Sequence, residues 1–456
     1  MQKCFFTGFD EPGQTGAVLQ LQNEGFMEVP LWYGASKICN LQHRKIAYIG
    51  LTRDIHSGHP LPLDEDYWHV LAEFQEMFSR RYRISKGISP QETKHIGHIY
   101  YDYFAGLLLE HDIDVVVFSV IPHNIIEGIL HRVARKLKVK TLICYQSVFS
   151  NRFFFCWDMD DFGYFRDIKP ISEDPGLKIG HEHETELFWS RDTPPLKPRR
   201  ACDIVVMPFM RELGRRLRKL LPPPHYSRRP KRTLAGLLQN YHESREFIKA
   251  YRKLAVDSVS YTERYVYFAL HLQPEATTAG TGGPYFDQLL AVEYLAGILP
   301  GEWKIYVKEH PQQGVQEKHN HQHRSTYFYQ RLMRLPQAVY LSREVSNYDL
   351  MRHSQFVSTI TGTAGWEAIK GGKPALIFGP AWYASLPGVF RFRPNMDVDE
   401  ILACRIDHAE LEKRTNELLM KAGVGVVDRE YSQDVRNYSD EQNSLYLQEF
   451  FRKVLS

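Results

Sequence analysis

Short, nearly unbroken apolar runs alternate along this chain with stretches in which apolar positions recur every three or four residues. "KIAYIGL" (Lys45–Leu51), "DIDVVVFSV" (Asp112–Val120) and "KTLICYQ" read as strands buried on both faces of a parallel sheet. Between the last two lies "NIIEGILHRVARKLK". Its Ile125, Ile126, Ile129, Leu130, Val133 and Leu137 fall on one helical face, which completes a strand–helix–strand unit. "DIVVMP" (Asp203–Pro208) reads as a further strand of the same sheet.

The pattern breaks at "RELGRRLRKLLPPPHYSRRPKR" (Arg211–Arg232), a basic stretch whose prolines end the helix before them. An interdomain region over roughly 222–262 follows, with a helix around "HESREFIKAYRKLA". The alternation then resumes. Strand "RYVYFALHLQPE", helix "PYFDQLLAVEYLAGIL", strands "KIYVKE" and "AVYL", helix "NYDLMRH", strand "QFVSTI" and strand "PALIF" describe a second unit. The chain closes on an amphipathic helix, "DEQNSLYLQEFFRKVL". The prediction is α/β throughout: one doubly wound domain over 1–262, a second over 263–435 and a C-terminal helix over 436–456. Ligands of such sheets bind beyond the C-terminal strand ends, in the cleft between the domains.

Composition sharpens this picture only in places. The 456 residues carry 43% hydrophobic and 24% charged side chains, as a globular protein does. A net charge of +3 argues against a dedicated nucleic-acid binder. No apolar stretch reaches the roughly 18–20 residues that cross a bilayer, and no signal peptide is read at the N-terminus. The six cysteines are scattered without a C-x-x-C pair, so a reducing cytoplasm is expected.

Candidate chemistry gathers in the second unit. In "STITGTAGWEAIKGGKPALIFG" (Ser358–Gly379) a strand ends in Gly-rich backbone that opens a helix. A helix start with unpaired N–H groups favours a phosphate or carboxylate. Thr361 and Thr363 add hydroxyls, Gly362 and Gly365 allow close backbone approach, and Glu367 suits ribose hydroxyls. The spacing is neither that of a P-loop nor that of a dinucleotide fingerprint. "YVKEHP" (Tyr306–Pro311) ends another strand of this unit, so Lys308 and His310 are expected at the same cleft edge, facing an anion.

Together these segments resemble the capsule polysaccharide biosynthesis family, which includes bacterial β-Kdo transferases. "YVKEHP" is similar to its K-x-H-P motif, with Pro311 as the proline. "TGTAGWEAIKGGKPALIFGPAWY" is similar to its G-x-x-G-x-E-A-x-x-x-G-K-P segment and the aromatic pair after it. "FALHLQPEATT" resembles its strand followed by Leu-Gln and an acidic residue, and "FGYFRDIKPISEDPG" (Phe162–Gly176) resembles a first-domain segment. Asp167 stands where that segment has proline, and Thr277 where the family has Asp. The resemblance covers roughly the C-terminal half and, before it, that one segment.

The resemblance implies a GT-B glycosyltransferase whose C-terminal helix packs back on the first domain. It implies a CMP-activated donor, Kdo or a nonulosonic acid, and a capsule or lipopolysaccharide glycan or glycolipid as acceptor. Lys308 and His310 would neutralise the phosphate, Thr361, Gly362 and Thr363 would contact it, and Glu367 would hold the ribose. No cofactor is implied: a single phosphate needs no bridging metal. An oxocarbenium-like transition state needs a carboxylate, for which Glu275 and Glu173 are the candidates. Cytoplasmic action at the inner-membrane surface is expected.

Other features are weaker. "DMDD" (Asp158–Asp161) reads as a solvated acidic loop rather than a metal site, and His319, His321 and His323 as a solvated loop. His123 follows a first-domain strand and is either a helix-start residue or a contact to the acceptor. The rival readings are a CDP-glycerol-type phosphotransferase, a sugar-nucleotide 2-epimerase and a non-catalytic binding protein of the same fold.

Overall fold

The computed structural model describes residues 1–42, 90–184, 206–207, 210, 234–273, 278, 281–313, 324 and 326–456. The expected strand at Lys45–Leu51 and the basic segment Arg211–Arg232 lie outside these residues. Of Asp203–Pro208 only Val206 and Met207 are described, both exposed and neither in a strand.

The first sheet has seven strands in the order β13-β6-β5-β4-β1-β2-β3. They are β1 (Gln2–Thr7), β2 (Met27–Gly34), β3 (Leu41–Gln42), β4 (Val115–Phe118), β5 (Lys140–Gln146), β6 (Arg152–Cys156) and β13 (Gly423–Val424). β1 to β5 are parallel neighbours, while β6 and β13 add antiparallel edges. The sheet's five parallel strands, β5-β4-β1-β2-β3, centre on β1. "CFF" and "VVVF" of β4 are buried on both faces, as a parallel sheet covered by helices requires.

Helices α1 (Pro12–Asn23), α2 (Pro90–Glu110) and α3 (Ile125–Lys136) belong to this unit. α3 starts where Asn124 accepts the N–H groups of Ile126 and Glu127 at 3.1 and 3.2 Å, and its apolar stripe is buried as its periodicity predicts.

The second sheet has six parallel strands in the order β12-β11-β10-β7-β8-β9. They are β7 (Tyr265–Ala269), β8 (Lys304–Lys308), β9 (Ala338–Leu341), β10 (Val357–Thr359), β11 (Ala375–Ile377) and β12 (Val389–Arg391). Around them lie α4 (Leu234–Leu254), α5 (Gln288–Ile298), α6 (Thr326–Leu332), α7 (Asn347–His353), α8 (Thr363–Lys370) and α9 (Val398–Ala403). α4, read from sequence as part of the linker region, packs on this second sheet. Tyr251 meets the Tyr340 ring edge-on and its hydroxyl accepts the Arg343 N–H at 2.7 Å.

Two devices join the units. After α10 (His408–Met420) the chain returns to the first sheet at β13, and α11 (Asp440–Val454) lies against α1. Phe451 packs edge-on against Phe6 and Phe9, and Phe450 against Phe153. Such ring pairs add about 0.5–1.5 kcal/mol each beyond their buried area. The second device is an aromatic wedge. Trp382, just after β11, stacks on Phe154 and meets Phe149 and Trp366.

The wedge fixes which edges face each other. Phe149 follows the C-terminal end of β5. Trp366 and Trp382 follow the C-terminal ends of β10 and β11. The C-terminal edges of the two sheets are therefore opposed, which is the two-domain GT-B arrangement.

Candidate active site

In the second sheet the strand order reverses between β7 and β10, so a crevice opens beyond their C-terminal ends. Three turns meet there. After β7 come Leu270, His271, Leu272 and Gln273; after β8 come Glu309, His310 and Pro311; after β10 come Ile360, Thr361 and Gly362.

Beneath the turns lies a buried ion pair. Arg324 and Glu309, each 3% exposed, bond through Nε at 3.1 and 3.2 Å to the two carboxylate oxygens. The hydroxyls of Tyr329 and Tyr340 donate to the same carboxylate at 3.1 and 3.2 Å. Arg324 also reaches the His271 carbonyl at 3.0 Å. Gln288, at the start of α5, accepts the His271 N–H at 2.8 Å. One guanidinium thus ties the turn after β8 to the turn after β7. Gln273 and Gln313 add a second tie, exchanging bonds of 2.8 and 3.2 Å between side chain and backbone.

His271 extends this frame to the turn after β10. Its Nε2 accepts the Thr361 N–H at 3.2 Å and lies 3.1 Å from the Thr359 hydroxyl. An atom that accepts from an amide carries no proton, so the ring is neutral with hydrogen on Nδ1. Gly362 is glycine because of this histidine: a Cβ there would stand 2.9 Å from Thr359 Oγ1 and 3.0 Å from His271 Cε1. At Gly365 the Tyr383 hydroxyl fills the equivalent space, and it donates to the Gly362 carbonyl. The bare backbone that the sequence offered to a ligand is filled on these sides by the protein itself.

What stays open is the helix start. Gly362 is the N-cap of α8 and supplies no side-chain acceptor, and no acidic residue occupies the first turn. Thr361 is only 7% exposed, yet its hydroxyl has no hydrogen-bond partner. Gln273 Oε1 is likewise buried without one. Orphaned polar atoms of this kind cost roughly 1–3 kcal/mol each unless something binds them. Thr363 opens the helix, partly exposed.

The two cations of "YVKEHP" part company. His310 is partly exposed in the turn, and its Nδ1 accepts the Gln312 N–H at 3.2 Å. Pro311 is also partly exposed. Lys308, the last residue of β8, is 3% exposed on the sheet face covered by α7, and its Nζ donates to Asn347 Oδ1 at 2.5 Å. The same oxygen accepts the Tyr267 hydroxyl at 3.1 Å. Burial, then the Arg343 charge, lowers the Lys308 pKa to about 8, while Glu344 opposes them.

Glu367 sits one turn into α8. Burial raises its pKa to about 7, Lys370 pulls it down and Glu184 pushes it up. Its backbone carbonyl lies 2.9 Å from Nδ1 of buried His183, at the end of a first-domain strap that runs along α10.

Of the two candidate carboxylates, Glu275 lies outside the described residues, two positions beyond Gln273. Glu173 is exposed on the strap, next to Ser172, which bonds Met420 at the C-terminal end of α10. His183, by contrast, is on the far side of the α10 start, since Ile179 bonds Glu412 nearer that end. The structure does not bring Glu173 to the strand-end cluster. Asp158 and Asp160 pair with Arg135 at 3.6 and 3.2 Å, and Asp161 with Arg166 at 3.9 Å. Among the described residues no group of three His, Cys, Asp or Glu is placed to hold a metal; His319, His321 and His323 lie outside them. His271, Gln273, Glu309 and Arg324 were not singled out by sequence. The His271–Gln273 pair within "LHLQPE" was the available signal.

Residues 287–397, which span β8 to β12 and the turns after β8 and β10, match the family model "Capsule polysaccharide biosynthesis protein". No curated protein matches the chain. Among solved structures, a Thermosulfurimonas dismutans KpsC, beta Kdo 2,7 transferase, is similar at 10% identity and TM-score 0.30, over 76% of this chain and 88% of that one. The beta Kdo 2,4 transferase of the same organism's KpsC is similar at 11% identity and TM-score 0.31, over 69% and 82%. A UDP-GlcNAc 2-epimerase from Methanocaldococcus jannaschii stands at 11% identity and TM-score 0.23, over 100% and 99%. Residues 287–397 are therefore similar to the capsule polysaccharide biosynthesis family, within a chain whose two sheets oppose their C-terminal strand edges in a GT-B architecture.

Proposed function

We propose that this chain is a glycosyltransferase of capsule polysaccharide biosynthesis that moves a CMP-activated acidic ulosonic sugar, Kdo or a nonulosonic acid, onto a growing capsule or lipopolysaccharide glycan. One observation carries the reading: the uncapped start of α8 stands beside the orphaned Thr361 hydroxyl, at the switch point of the second sheet. Helix N–H groups and a hydroxyl suit one phosphate or a sugar carboxylate.

In this reading the first turn of α8, with Thr361, Gly362 and Thr363, holds the phosphate, and partly exposed His310 meets its charge as CMP leaves. Lys308 is too buried to touch the donor directly. It adds positive potential under the site and fixes Asn347. Glu367 takes the ribose hydroxyls. The leaving group carries a single phosphate, so protein donors suffice without a metal cofactor. A carboxylate completes the chemistry at the anomeric carbon, and of the two candidates Glu275 is the one that follows a strand of the second sheet. No helix among the described residues is long and apolar enough to cross a membrane. The proposed place of action is the cytoplasmic face of the inner membrane, where a lipid-linked acceptor would be met.

The test is a thermal-shift series with CMP, CDP, UDP and GDP, in EDTA and in magnesium. A ligand bound only by the folded state raises the melting temperature by mass action. CMP is expected to raise it equally in both buffers, and His310→Ala to abolish the rise. A rise with UDP alone would overturn the donor assignment, and turnover of UDP-GlcNAc without acceptor would replace transfer by epimerisation.

A further inference from the structure

Helix α8, which opens on the proposed donor site, is held at both ends by histidines from different parts of the chain. At its start His271, from the same sheet, accepts the Thr361 N–H at 3.2 Å. At its end stands His183, from the first unit's strap. The Nδ1 of His183 lies 2.9 Å from the Glu367 carbonyl. A carbonyl only accepts, so Nδ1 carries the hydrogen and donates. The same carbonyl takes the Gly371 N–H at 3.1 Å. The last turn of α8 is thus capped by its own backbone and by a side chain from elsewhere.

The contact is built from both sides. Every residue from Lys169 to Glu184 is described, and His183 alone among them is buried. On the helix side Gly371 makes the room: a Cβ there would stand 2.0 Å from Cε1 and Nδ1 of the His183 ring. Gly371 has a φ of −81°, so it is glycine for the ring and not for its backbone conformation. Beside the ring, Lys370 Nζ donates to the Glu184 carbonyl, and Arg352 pairs with the Glu184 carboxylate at 3.6 Å.

The strap reaches this point along the length of α10. Ser172 bonds the Met420 carbonyl at 3.2 Å, the Leu177 N–H donates to Asn416 at 2.8 Å and the Ile179 N–H to Glu412 at 3.1 Å. The His181 and His408 rings then meet, their centroids 3.8 Å apart. α8 has only eight residues, so about 10 Å of rise separates its ends. A helix that short moves as one body. A shift of its last turn carries the Glu367 carboxyl and the first-turn N–H groups with it.

We propose that His183 is a positioning residue for donor binding: by clamping the last turn of α8 it sets the Glu367 carboxyl and the helix start for the nucleotide sugar, and so ties donor affinity to the docked strap. The assignment rests on the transferase reading above. The coupling runs both ways. Whatever factor strap docking adds to donor affinity, a bound donor adds to strap docking.

The experiment uses the full chain. Calorimetric titration gives the CMP dissociation constant, and amide hydrogen exchange over residues 177–184 is followed with and without CMP. His183→Ala is expected to weaken CMP about 10-fold. Gly371→Ala, which keeps the imidazole but fills its seat, should do the same. His183→Asn, whose amide nitrogen takes the place of Nδ1, should recover most of the affinity. Lys178→Ala removes a strap tie to Glu412, away from α8, and should bind CMP as the wild type does. CMP should slow exchange over 177–184 in the wild type and not in His183→Ala. A histidine that serves stability alone would lower the melting temperature and leave the CMP constant and the exchange response unchanged, and that result overturns the role. If UDP rather than CMP binds the wild type, the donor assignment falls, and the same variants read with UDP decide the role of His183. A wild-type chain that binds neither nucleotide overturns both.

Discussion

The two sheets share one strand order but treat their C-terminal edges differently. Reading outward from one side, β3-β2-β1-β4-β5 of the first matches β9-β8-β7-β10-β11 of the second. Around the first, the chain is locked by rings: Phe6 and Phe9 on Phe451, Phe153 on Phe450, Phe154 on Trp382. Around the second, the strand-end turns are locked by polar groups: Arg324, Glu309, His271, Gln273 and Gln288. Apolar packing is tolerant of small shifts and blind to ligand charge. A buried polar network fixes directions, because each member fails if its partner moves. The second edge is built as an aimed site, and the first as a platform.

The sharpest way to break that contrast is to remove Arg324. Arg324→Met leaves the Glu309 carboxylate buried without its cation and frees the His271 carbonyl. A cost of about 3–5 kcal/mol in urea unfolding is expected. Phe450→Ala, on the first sheet, should cost about as much through the cavity it opens. The two should separate on ligand binding. The CMP shift should vanish in Arg324→Met and survive in Phe450→Ala. Arg414→Ala, which removes an exposed helix pair with Glu410 and Glu417, should cost under about 1 kcal/mol and leave the shift unchanged. Equal loss of the shift in both core variants would mean that the site depends on global stability, and the contrast would fail.

A smaller effect tests His271 by itself. His271→Ala leaves the Thr361 N–H without its acceptor, at a cost of about 1–3 kcal/mol. CMP affinity should fall more than stability does, because the start of α8 loses its anchor. If the variant melts lower yet binds CMP as tightly as the wild type, His271 is a core residue and not part of the site's aim.

What the sequence made legible, and what it did not, follows the same divide. β4, β5, β7 and β8 are read from their apolar runs, since a strand covered on both faces leaves that mark directly. α3 is read from its stripe. β1 leaves no such mark, because its apolar run "CFF" is only three residues long between Lys3 and Thr7. At the site, α8 and its glycines stand out as a segment. Their reason does not, since the space at Gly362 is filled by a histidine from a strand far back in the chain. Lys308 and His310 look alike in "YVKEHP". Strand geometry separates them, and the helix that covers Lys308 comes much later in sequence. The buried pair of Glu309 and Arg324 joins two turns that no local pattern connects.

The smallest effect is one of pH, and it tests whether Glu367 belongs to the second edge as a site residue. Burial raises its pKa to about 7 from the ordinary glutamate value of 4.5. Between those values the folded chain holds a proton that the unfolded chain has released, so stability falls as pH rises through this window. Above about pH 7 the carboxylate is charged in both states, and the penalty is complete. Glu367→Gln should therefore be more stable than the wild type at pH 8, by about 1–2 kcal/mol after allowing for its partial exposure. The gain should shrink toward pH 4.5. A stabilising substitution that weakens CMP binding would show that this carboxylate is kept at a cost to folding, as a ligand contact would be. A substitution that stabilises and leaves CMP binding unchanged would return Glu367 to the interface with the His183 strap, and would move the ribose contact elsewhere on the edge.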